Sequence, residues 1–137
     1  MRLEEVSKSF NQQKVLDKLS LTIEKGERMC LLGPSGCGKT TALRLIAGLE
    51  VPDKGKIFIN NCLVSSDKNI LKETPERGIG IVFQDLSLFP HLNIFQNVSY
   101  ALHEFGNERM KDRTNYLLDC VGMLPFREKY PHMISGG

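Results

Sequence analysis

The chain has 137 residues, of which 41% are hydrophobic and 25% charged, a balance typical of one globular domain with a real core. Its formal net charge is only +2 and its lysines and arginines are scattered, which argues against a nucleic-acid-binding surface. No apolar run approaches the ~20 residues that span a bilayer, and the N-terminus lacks the apolar stretch of a signal peptide, so we expect a cytosolic protein.

The first half of the chain predicts short strands around a glycine-rich loop. Residues 15–23 alternate apolar and polar side chains, which is typical of a half-buried strand. Residues 28–32 form a short apolar run that predicts a buried strand of a parallel sheet. Helical periodicity follows over residues 39–47, with Gly48 placed to end the helix, and residues 56–60 predict a further strand.

The second half of the chain changes from strand to helix. Residues 78–83 are a second β-rich apolar run, whereas residues 93–103 and 108–121 predict helices, the latter closed by Gly122. This order predicts an α/β core with a helical insertion that begins late.

Four cysteines lie along the chain without a C-x-x-C pair. No histidine stands at metal-ligand spacing beside them, so a zinc site is not expected. Cys30 and Cys120 lie in apolar runs, which predicts small buried hydrophobes.

The glycine-rich loop carries the strongest chemical signal. Residues 33–40 match G-x-x-x-x-G-K-[ST] at every fixed position. Glycines allow successive backbone N–H groups to face an anion, and the helix that follows adds its positive end. Lys39 would reach the β- and γ-phosphates, and the Thr40 hydroxyl would ligate Mg²⁺. The predicted nucleotide-binding residues are Gly33, Pro34, Ser35, Gly36, Cys37, Gly38, Lys39, Thr40 and Thr41.

Residues 79–84, IGIVFQ, resemble the strand and Q-loop of the ATP-binding-cassette (ABC) family. The resemblance covers nearly the whole chain. It implies that Gln84 touches Mg²⁺ and the attacking water and couples the site to membrane subunits, so Lys39 and Gln84 are the predicted catalytic residues and Thr40 and Gln84 the metal ligands. A neutral amide can enter and leave such a site without moving a charge.

Two further segments extend the resemblance to this family. Residues 87–93, SLFPHLN, look like the stretch that receives the coupling helix of the transmembrane partner, although the same apolar cluster could simply pack under the helical insertion. Residues 130–137, YPHMISGG, resemble the approach to the family's L-S-G-G-Q signature, with Ile134 in place of Leu. By this resemblance Ser135, Gly136 and Gly137 would face the γ-phosphate of ATP on the opposite subunit.

Phe10 resembles the family's A-loop aromatic, which stacks on adenine. Stacking of an aromatic ring on a base contributes roughly 1–3 kcal/mol. The alternative is that Phe10 packs in the core of a first hairpin.

No Walker B strand, four apolar residues followed by Asp-Glu, appears after Gln84, and no switch histidine follows the signature. In the family these carboxylates support Mg²⁺ and polarise the attacking water, so we expect a truncated cassette that is deficient in hydrolysis. We also expect exposed apolar surface where the missing strand would pair.

The predicted fold is therefore α/β: a P-loop NTPase (RecA-like) core with an N-terminal antiparallel β subdomain and the start of an α-helical insertion. Residues 1–90 would form the β subdomain and core, and residues 91–137 part of the helical subdomain. The resemblance implies the ATPase subunit of an importer, since no membrane span precedes the cassette and the T-E-V-G-E-R-G-like stretch of exporters is missing. Residues 75–78, with residues 83–97, look most like importers of ferric iron, polyamines, sugars or anions, with ferric iron the first expectation.

The resemblance implies ATP and Mg²⁺ as cofactors. The implied partners are transmembrane permease subunits, a second copy of the subunit and, indirectly, a periplasmic or extracellular solute-binding protein, with no nucleic acid. The chain would lie peripherally at the cytoplasmic face of the inner membrane. Two alternatives remain: a nucleotide-binding module without turnover, and a soluble cassette protein of translation or repair.

Overall fold

The computed structural model describes residues 1–83 and 88–134, with the backbone alone at residues 103–105. It divides into two compact units, Met1–Ile81 and Val82–Gly137. The predicted boundary at residue 90, between the core and the helical subdomain, stays a prediction.

The first unit is built on a five-stranded sheet. Its strands are β1 (Arg2–Phe10), β2 (Gln13–Thr22), β3 (Lys54–Ile59), β4 (Cys62–Ser66) and β5 (Asn69–Ile70). They lie in the order β2-β1-β3-β4-β5, and every neighbouring pair is antiparallel. The strands predicted at residues 15–23 and 56–60 are therefore present in an antiparallel β subdomain.

Two-residue turns set the register of this sheet. Asn60 and Asn61 join β3 to β4 with φ angles of 49° and 61°, and Asn11 and Gln12 join β1 to β2 in the same left-handed region. Two successive residues in this region give the twist that a two-residue hairpin requires, and asparagine tolerates it well. The turns align Phe10 with Gln13 and Ile59 with Cys62.

Helix α1 (Lys39–Ala47) is present at the predicted residues, and it packs against the sheet. Its buried side chains Ala42, Leu45 and Ile46 join strand residues in one cluster. Each large apolar side chain that is fully buried there contributes about 1.5–3 kcal/mol. The strand residues of this cluster are Leu3, Val6, Leu16, Ile57, Ile59 and Val64.

The strands predicted at residues 28–32 and 78–83 are absent from the structure, so those two predictions are wrong. Both segments have extended or irregular backbone, and Leu32 is 87% and Val82 95% exposed. A strand forms only when a neighbour satisfies its backbone N–H and C=O groups, and no strand of residues 1–83 or 88–134 pairs with either segment. Cys30 is exposed for the same reason, and Cys120 lies on an exposed helix face, contrary to the predicted burial.

The second unit is helical. Helix α2 (Ile94–Ser99) runs into a 3-10 turn (Tyr100–Phe105), and α3 (Asn107–Cys120) follows. Short 3-10 turns at Leu124–Phe126 and Pro131–Met133 complete the described residues of this unit. Asn93 caps α2, because its side-chain Oδ1 accepts a hydrogen bond from the Gln96 backbone N–H. In turn, the Gln96 side-chain Oε1 accepts a hydrogen bond from the Asn93 backbone N–H.

Candidate functional site

The phosphate loop leads directly into α1. The Cys37 N–H donates to the Pro34 carbonyl at 3.4 Å, and the Ala42 N–H donates to the Gly38 carbonyl at 2.9 Å, which is the first bond of the helix. The loop residues from Gly33 to Cys37 are exposed. An exposed loop that ends in a helix N-terminus offers free backbone N–H groups and the positive end of the helix dipole to an anion.

Gly38 fixes the loop against the sheet. It is buried with φ at 95°, and a Cβ there would lie 2.7 Å from Leu16 Cδ2 and 2.9 Å from the Val15 carbonyl oxygen. No other residue type fits this close contact without displacing β2. Strand β2 thus supports the loop from behind, which is the physical reason for a glycine immediately before Lys39.

Lys39 places a cation at the mouth of the loop. Its Nζ donates to the carbonyl oxygens of Gly33 and Pro34, each at 2.7 Å, and lies 3.5 Å from Cys37 Sγ. The lysine side chain therefore folds back over the loop, where a phosphate group would meet both the ammonium and the helix N-terminus. Thr40 is exposed beside it, which leaves its hydroxyl accessible to a hydrated Mg²⁺.

Phe10 stands at the end of β1, near the supporting strand. Phe10 is 40% exposed as a residue, and Lys8 Nζ lies 5.0 Å from its ring centroid. Phe10 is aligned with Gln13, two residues before Val15, so at strand spacing it lies roughly 7 Å along β2 from the residue that contacts Gly38. Its partial exposure leaves ring surface for a base, and the predicted stacking stays a prediction.

Four predicted site residues lie outside the described residues: Gln84, Ser135, Gly136 and Gly137. Their assigned roles stay predictions. Within residues 1–83 and 88–134, no group of three or more histidine, cysteine or acidic side chains could hold a metal ion.

Sequence reasoning missed Arg77 of the first unit, whose side chain donates five hydrogen bonds. Arg77 ends a 3-10 turn (Thr74–Arg77) and is 3% exposed. Its guanidinium donates to carbonyl oxygens at the C-terminal end of α1, at Leu45 and Ile46, and to β4. Burial lowers the pKa of Arg77, partly offset by the nearby charge of Glu73. The sequence gives no signal for this, since an arginine in a polar turn is usually exposed.

The second unit carries the stretch that resembles a docking site. Leu88 and Phe89 are exposed, and the Phe89 ring lies 4.8 Å from that of Tyr100. Asn97 of α2 holds this loop, because its Oδ1 accepts from the Phe89 N–H at 2.8 Å and its Nδ2 donates to the carbonyls of Phe89 and Leu92. An ordered, exposed apolar cluster is what a docking surface requires.

No helix of the described residues is long and apolar enough to cross a membrane.

A sequence profile described as ABC transporter matches residues 16–137, which include the phosphate loop and both helical segments. The chain belongs to the ABC transporter family. Many families share a phosphate-binding loop, and this match shows to which of them the loop of this chain belongs.

Curated relatives of this ABC chain are importer subunits. The Fe(3+) ions import ATP-binding protein FbpC 2 of Haemophilus influenzae is 38% identical over 139 residues, which cover 100% of this chain and 39% of that protein. The sulfate/thiosulfate import ATP-binding protein CysA of Pseudomonas syringae is 44% identical over 138 residues, covering 96% of this chain and 41% of its own length. The chain thus spans about two fifths of the length of the curated relatives it matches.

Solved ABC cassettes share the fold. A dimeric post-hydrolysis state of the ATP-binding cassette MJ0796 bound to ADP and Pi superposes with a TM-score of 0.81 at 28% identity, covering 98% of this chain and 63% of that one. A second dimeric structure of MJ0796 gives a TM-score of 0.80. The predicted P-loop NTPase fold is confirmed, with this chain forming part of a cassette.

Proposed function

We propose that this chain is the nucleotide-binding part of the ATPase subunit of an ABC importer. The observation that carries the proposal is the Lys39 ammonium, held over the phosphate loop at the N-terminus of α1. A cation, a helix N-terminus and an exposed glycine-rich backbone at one point favour a polyphosphate over any neutral ligand.

Each proposed role follows from chemistry at a stated position. Lys39 neutralises charge on the β- and γ-phosphates, and the Thr40 hydroxyl binds the Mg²⁺ that accompanies ATP. Gln84 orients the metal and the attacking water without adding charge. Phe10, at the end of β1, stacks on adenine. Ser135, Gly136 and Gly137 close the site of a second copy, so that two nucleotides lie between two subunits.

The proposed partners follow from the same assignment. The subunit pairs with a second copy of itself and docks on transmembrane permease subunits at the inner face of the membrane, through the exposed cluster of Leu88 and Phe89. A periplasmic or extracellular solute-binding protein delivers the solute to the permease. The solute contacts those other subunits rather than this one, so this chain's own site specifies the energy source alone.

Ferric iron is the proposed solute. Several relatives that match the whole of this chain bear the name Fe(3+) ions import ATP-binding protein, including that of Escherichia coli O157:H7 at 42% identity. Sulfate is the second candidate, because relatives named for sulfate/thiosulfate import are equally similar. Uptake of the two solutes, measured in cells with and without an intact gene, decides between them.

As an isolated polypeptide of 137 residues, the chain should bind MgATP with little turnover. Residues 85–137 contain no Asp-Glu pair after four apolar residues, so the carboxylates that position Mg²⁺ and water are lacking in this polypeptide. The second candidate function, a nucleotide-binding module, has the same property. ATP hydrolysis in the intact protein distinguishes an ATPase from such a module.

Calorimetric titration with MgATP tests nucleotide binding. We expect Lys39→Ala to raise the Kd by at least about 30-fold, since a lost charge-assisted contact to phosphate is worth ~2 kcal/mol. Lys25→Ala, a charge removed from an exposed turn, is the matched control and should leave the Kd unchanged. Absence of binding in the parent chain, or equal affinity of parent and Lys39→Ala, would contradict the proposal.

A further inference from the structure

Lys8 is a lysine of β1 whose side chain lies largely inside the first unit. That side chain is 12% exposed, whereas lysine side chains are mostly exposed in proteins. Lys8 is aligned with Leu16 of β2, a residue of the core cluster, so its side chain lies on the face of the sheet against which α1 packs. A cation at such a position needs partners that replace water, and these partners define where the ammonium is held.

The segment that follows α1 fixes the Lys8 ammonium. Its Nζ donates to the Val51 carbonyl oxygen at 2.8 Å. It also lies 3.5 Å from a carboxylate oxygen of Glu50 and 3.9 Å from one of Asp53. Asp53 is itself tied to β1, because its other carboxylate oxygen accepts from the Ser9 N–H at 2.7 Å. One hydrogen bond and two ion pairs therefore hold the charge at one point.

The ammonium held in this way stands over the ring of Phe10. Its Nζ lies 5.0 Å from the ring centroid, within the ~6 Å over which a cation is attracted to an aromatic face. Phe10 follows Lys8 by two residues on β1, so both side chains lie on the same face of the strand. The cation thus occupies one face of the ring. Because Phe10 is partly exposed, other ring surface stays open to a ligand.

The same hairpin connects this ring to the phosphate loop. Leu16, the residue opposite Lys8, lies against Gly38, since a Cβ on that glycine would be 2.7 Å from Leu16 Cδ2. Gly38 immediately precedes Lys39, whose ammonium bonds the loop. Phe10 lies roughly 7 Å along β1 from Lys8. The phosphate loop and the Phe10 ring therefore lie on one side of the β1–β2 hairpin, as the two ends of one nucleotide require.

We propose that Lys8 is a positioning residue for the base of the bound nucleotide: it holds the Phe10 ring from one side, so that the base stacks on the other. The proposal rests on the proposed function, in which Phe10 stacks on adenine, and deepens it by naming the group that fixes the ring. An aromatic side chain that is free to turn loses rotamer freedom when a base stacks on it. A ring already held by a cation loses less, so more of the stacking energy appears in the affinity.

Calorimetric titration with two ligands separates the base from the phosphates. MgATP presents both parts, whereas the magnesium complex of inorganic tripolyphosphate presents the phosphates alone. We expect Lys8→Met, which removes the charge and keeps an unbranched side chain, to raise the Kd for MgATP at least about threefold and to leave that for tripolyphosphate within about 1.5-fold. Lys14→Met, the matched control, removes the same charge from an exposed position of the same hairpin and should change neither Kd.

A double-mutant cycle shows whether Lys8 acts through the ring. Phe10→Ala alone should raise the Kd for MgATP about 5- to 150-fold, the range expected for the loss of one stacked base. In the Phe10→Ala background, Lys8→Met should change this Kd by less than about 1.5-fold. Lys8→Arg, which keeps a cation able to lie over an aromatic face, should bind MgATP within about twofold of the parent. A lysine that only stabilised the fold would weaken the binding of both ligands, with or without the ring.

The proposal is overturned if Lys8→Met leaves the Kd for MgATP unchanged, weakens both ligands equally, or acts as strongly in the Phe10→Ala background. If Lys8→Met does not fold, Glu50→Gln, which removes one ion-pair partner of Lys8, takes its place. A rise in the Kd for MgATP alone then supports the proposal, and an unchanged Kd overturns it. If the parent binds neither ligand, the proposed function fails and the proposal fails with it, whereas a parent that binds both, with no selective effect of these variants, overturns the proposal alone.

Discussion

The two ends of helix α1 meet very different surroundings. At the N-terminal end, Lys39 bonds two carbonyls of an exposed loop. At the C-terminal end, Gly48 and Arg77 are buried, and the guanidinium bonds both the last turn of the helix and β4. One helix thus joins an accessible end, where the loop and the lysine are exposed to a ligand, to a buried end, where the guanidinium of Arg77 already bonds the helix carbonyls.

The difference between the two ends of α1 suggests that one end serves nucleotide binding and the other end serves the stability of the fold. A buried guanidinium that loses its acceptors leaves an uncompensated charge and unpaired carbonyls, which costs about 3–5 kcal/mol. An exposed ammonium that loses two carbonyl contacts is rehydrated by water at little cost. Changes at the C-terminal end should therefore unfold the protein, whereas changes at the N-terminal end should affect binding alone.

The largest effect is expected for Gly48→Ala. A Cβ at this position would lie within 3 Å of three guanidinium atoms of Arg77, and alanine is strained at φ 81°. Displacement of the buried guanidinium, added to the backbone strain, should lower the free energy of unfolding by ~3–5 kcal/mol. Urea unfolding followed by circular dichroism measures this loss.

Gly26→Ala is the matched control. Gly26 has a similar φ of 84°, but nothing lies within 4 Å of the Cβ that would be added. It should therefore show the backbone cost alone, about 1–2 kcal/mol. Equal losses at the two glycines would mean that Arg77 adjusts freely and that the C-terminal end of α1 is not the fixed end.

Some of the structure around the two ends of α1 can be predicted from the sequence. The spacing of glycines and Lys39 predicts the phosphate loop, and helical periodicity with Gly48 predicts α1 and its end, because these depend on neighbours within a few residues. The strands β2 and β3 are predicted by alternation for the same reason. Local signals were not sufficient everywhere, because β4 and β5, which follow β3 closely in the chain, were not predicted.

Predictions failed where the partner is distant in the chain. The apolar runs at residues 28–32 and 78–83 have the composition of strands, yet strand pairing depends on a neighbour that composition does not identify. The same limit hid Arg77. Its acceptors at Leu45 and Val64 lie 32 and 13 residues away, so nothing near it in the sequence marks it as buried.

A smaller effect on stability is expected at the N-terminal end of α1. Lys39→Ala removes two hydrogen bonds to exposed carbonyls, but it also removes a cation from the positive end of the helix dipole. These effects oppose each other, so the free energy of unfolding should change by about 0.5 kcal/mol or less. Urea unfolding of the same protein used for nucleotide titration checks this. A loss comparable to that of Gly48→Ala would show that both ends of α1 are structural.

Asp67 provides an exposed counterpart of Arg77. Its Oδ1 accepts from the Gly55 N–H at 3.0 Å and its Oδ2 accepts from Ser66 Oγ at 2.9 Å, and these bonds, led by that of Gly55, lower the pKa of Asp67 below its usual 3.8. Burial lowers the pKa of Arg77 by disfavouring its charge, whereas hydrogen bonding lowers that of Asp67 by favouring its charge. The same direction of shift therefore reports destabilisation of one charged group and stabilisation of the other.

The smallest expected effect is on acid stability, in Asp67→Asn. A carboxyl whose pKa is lower in the folded state stabilises the fold above the unfolded pKa of 3.8, and this contribution is lost as the pH falls through the folded value. The parent should thus be slightly more stable than Asp67→Asn at pH 7, and the difference should shrink as the pH falls below 3.8 and vanish once the pH is below the folded pKa. Urea midpoints measured across this range test it. A difference that stays constant into strong acid would mean that the amide differs from the carboxylate in packing, not in charge.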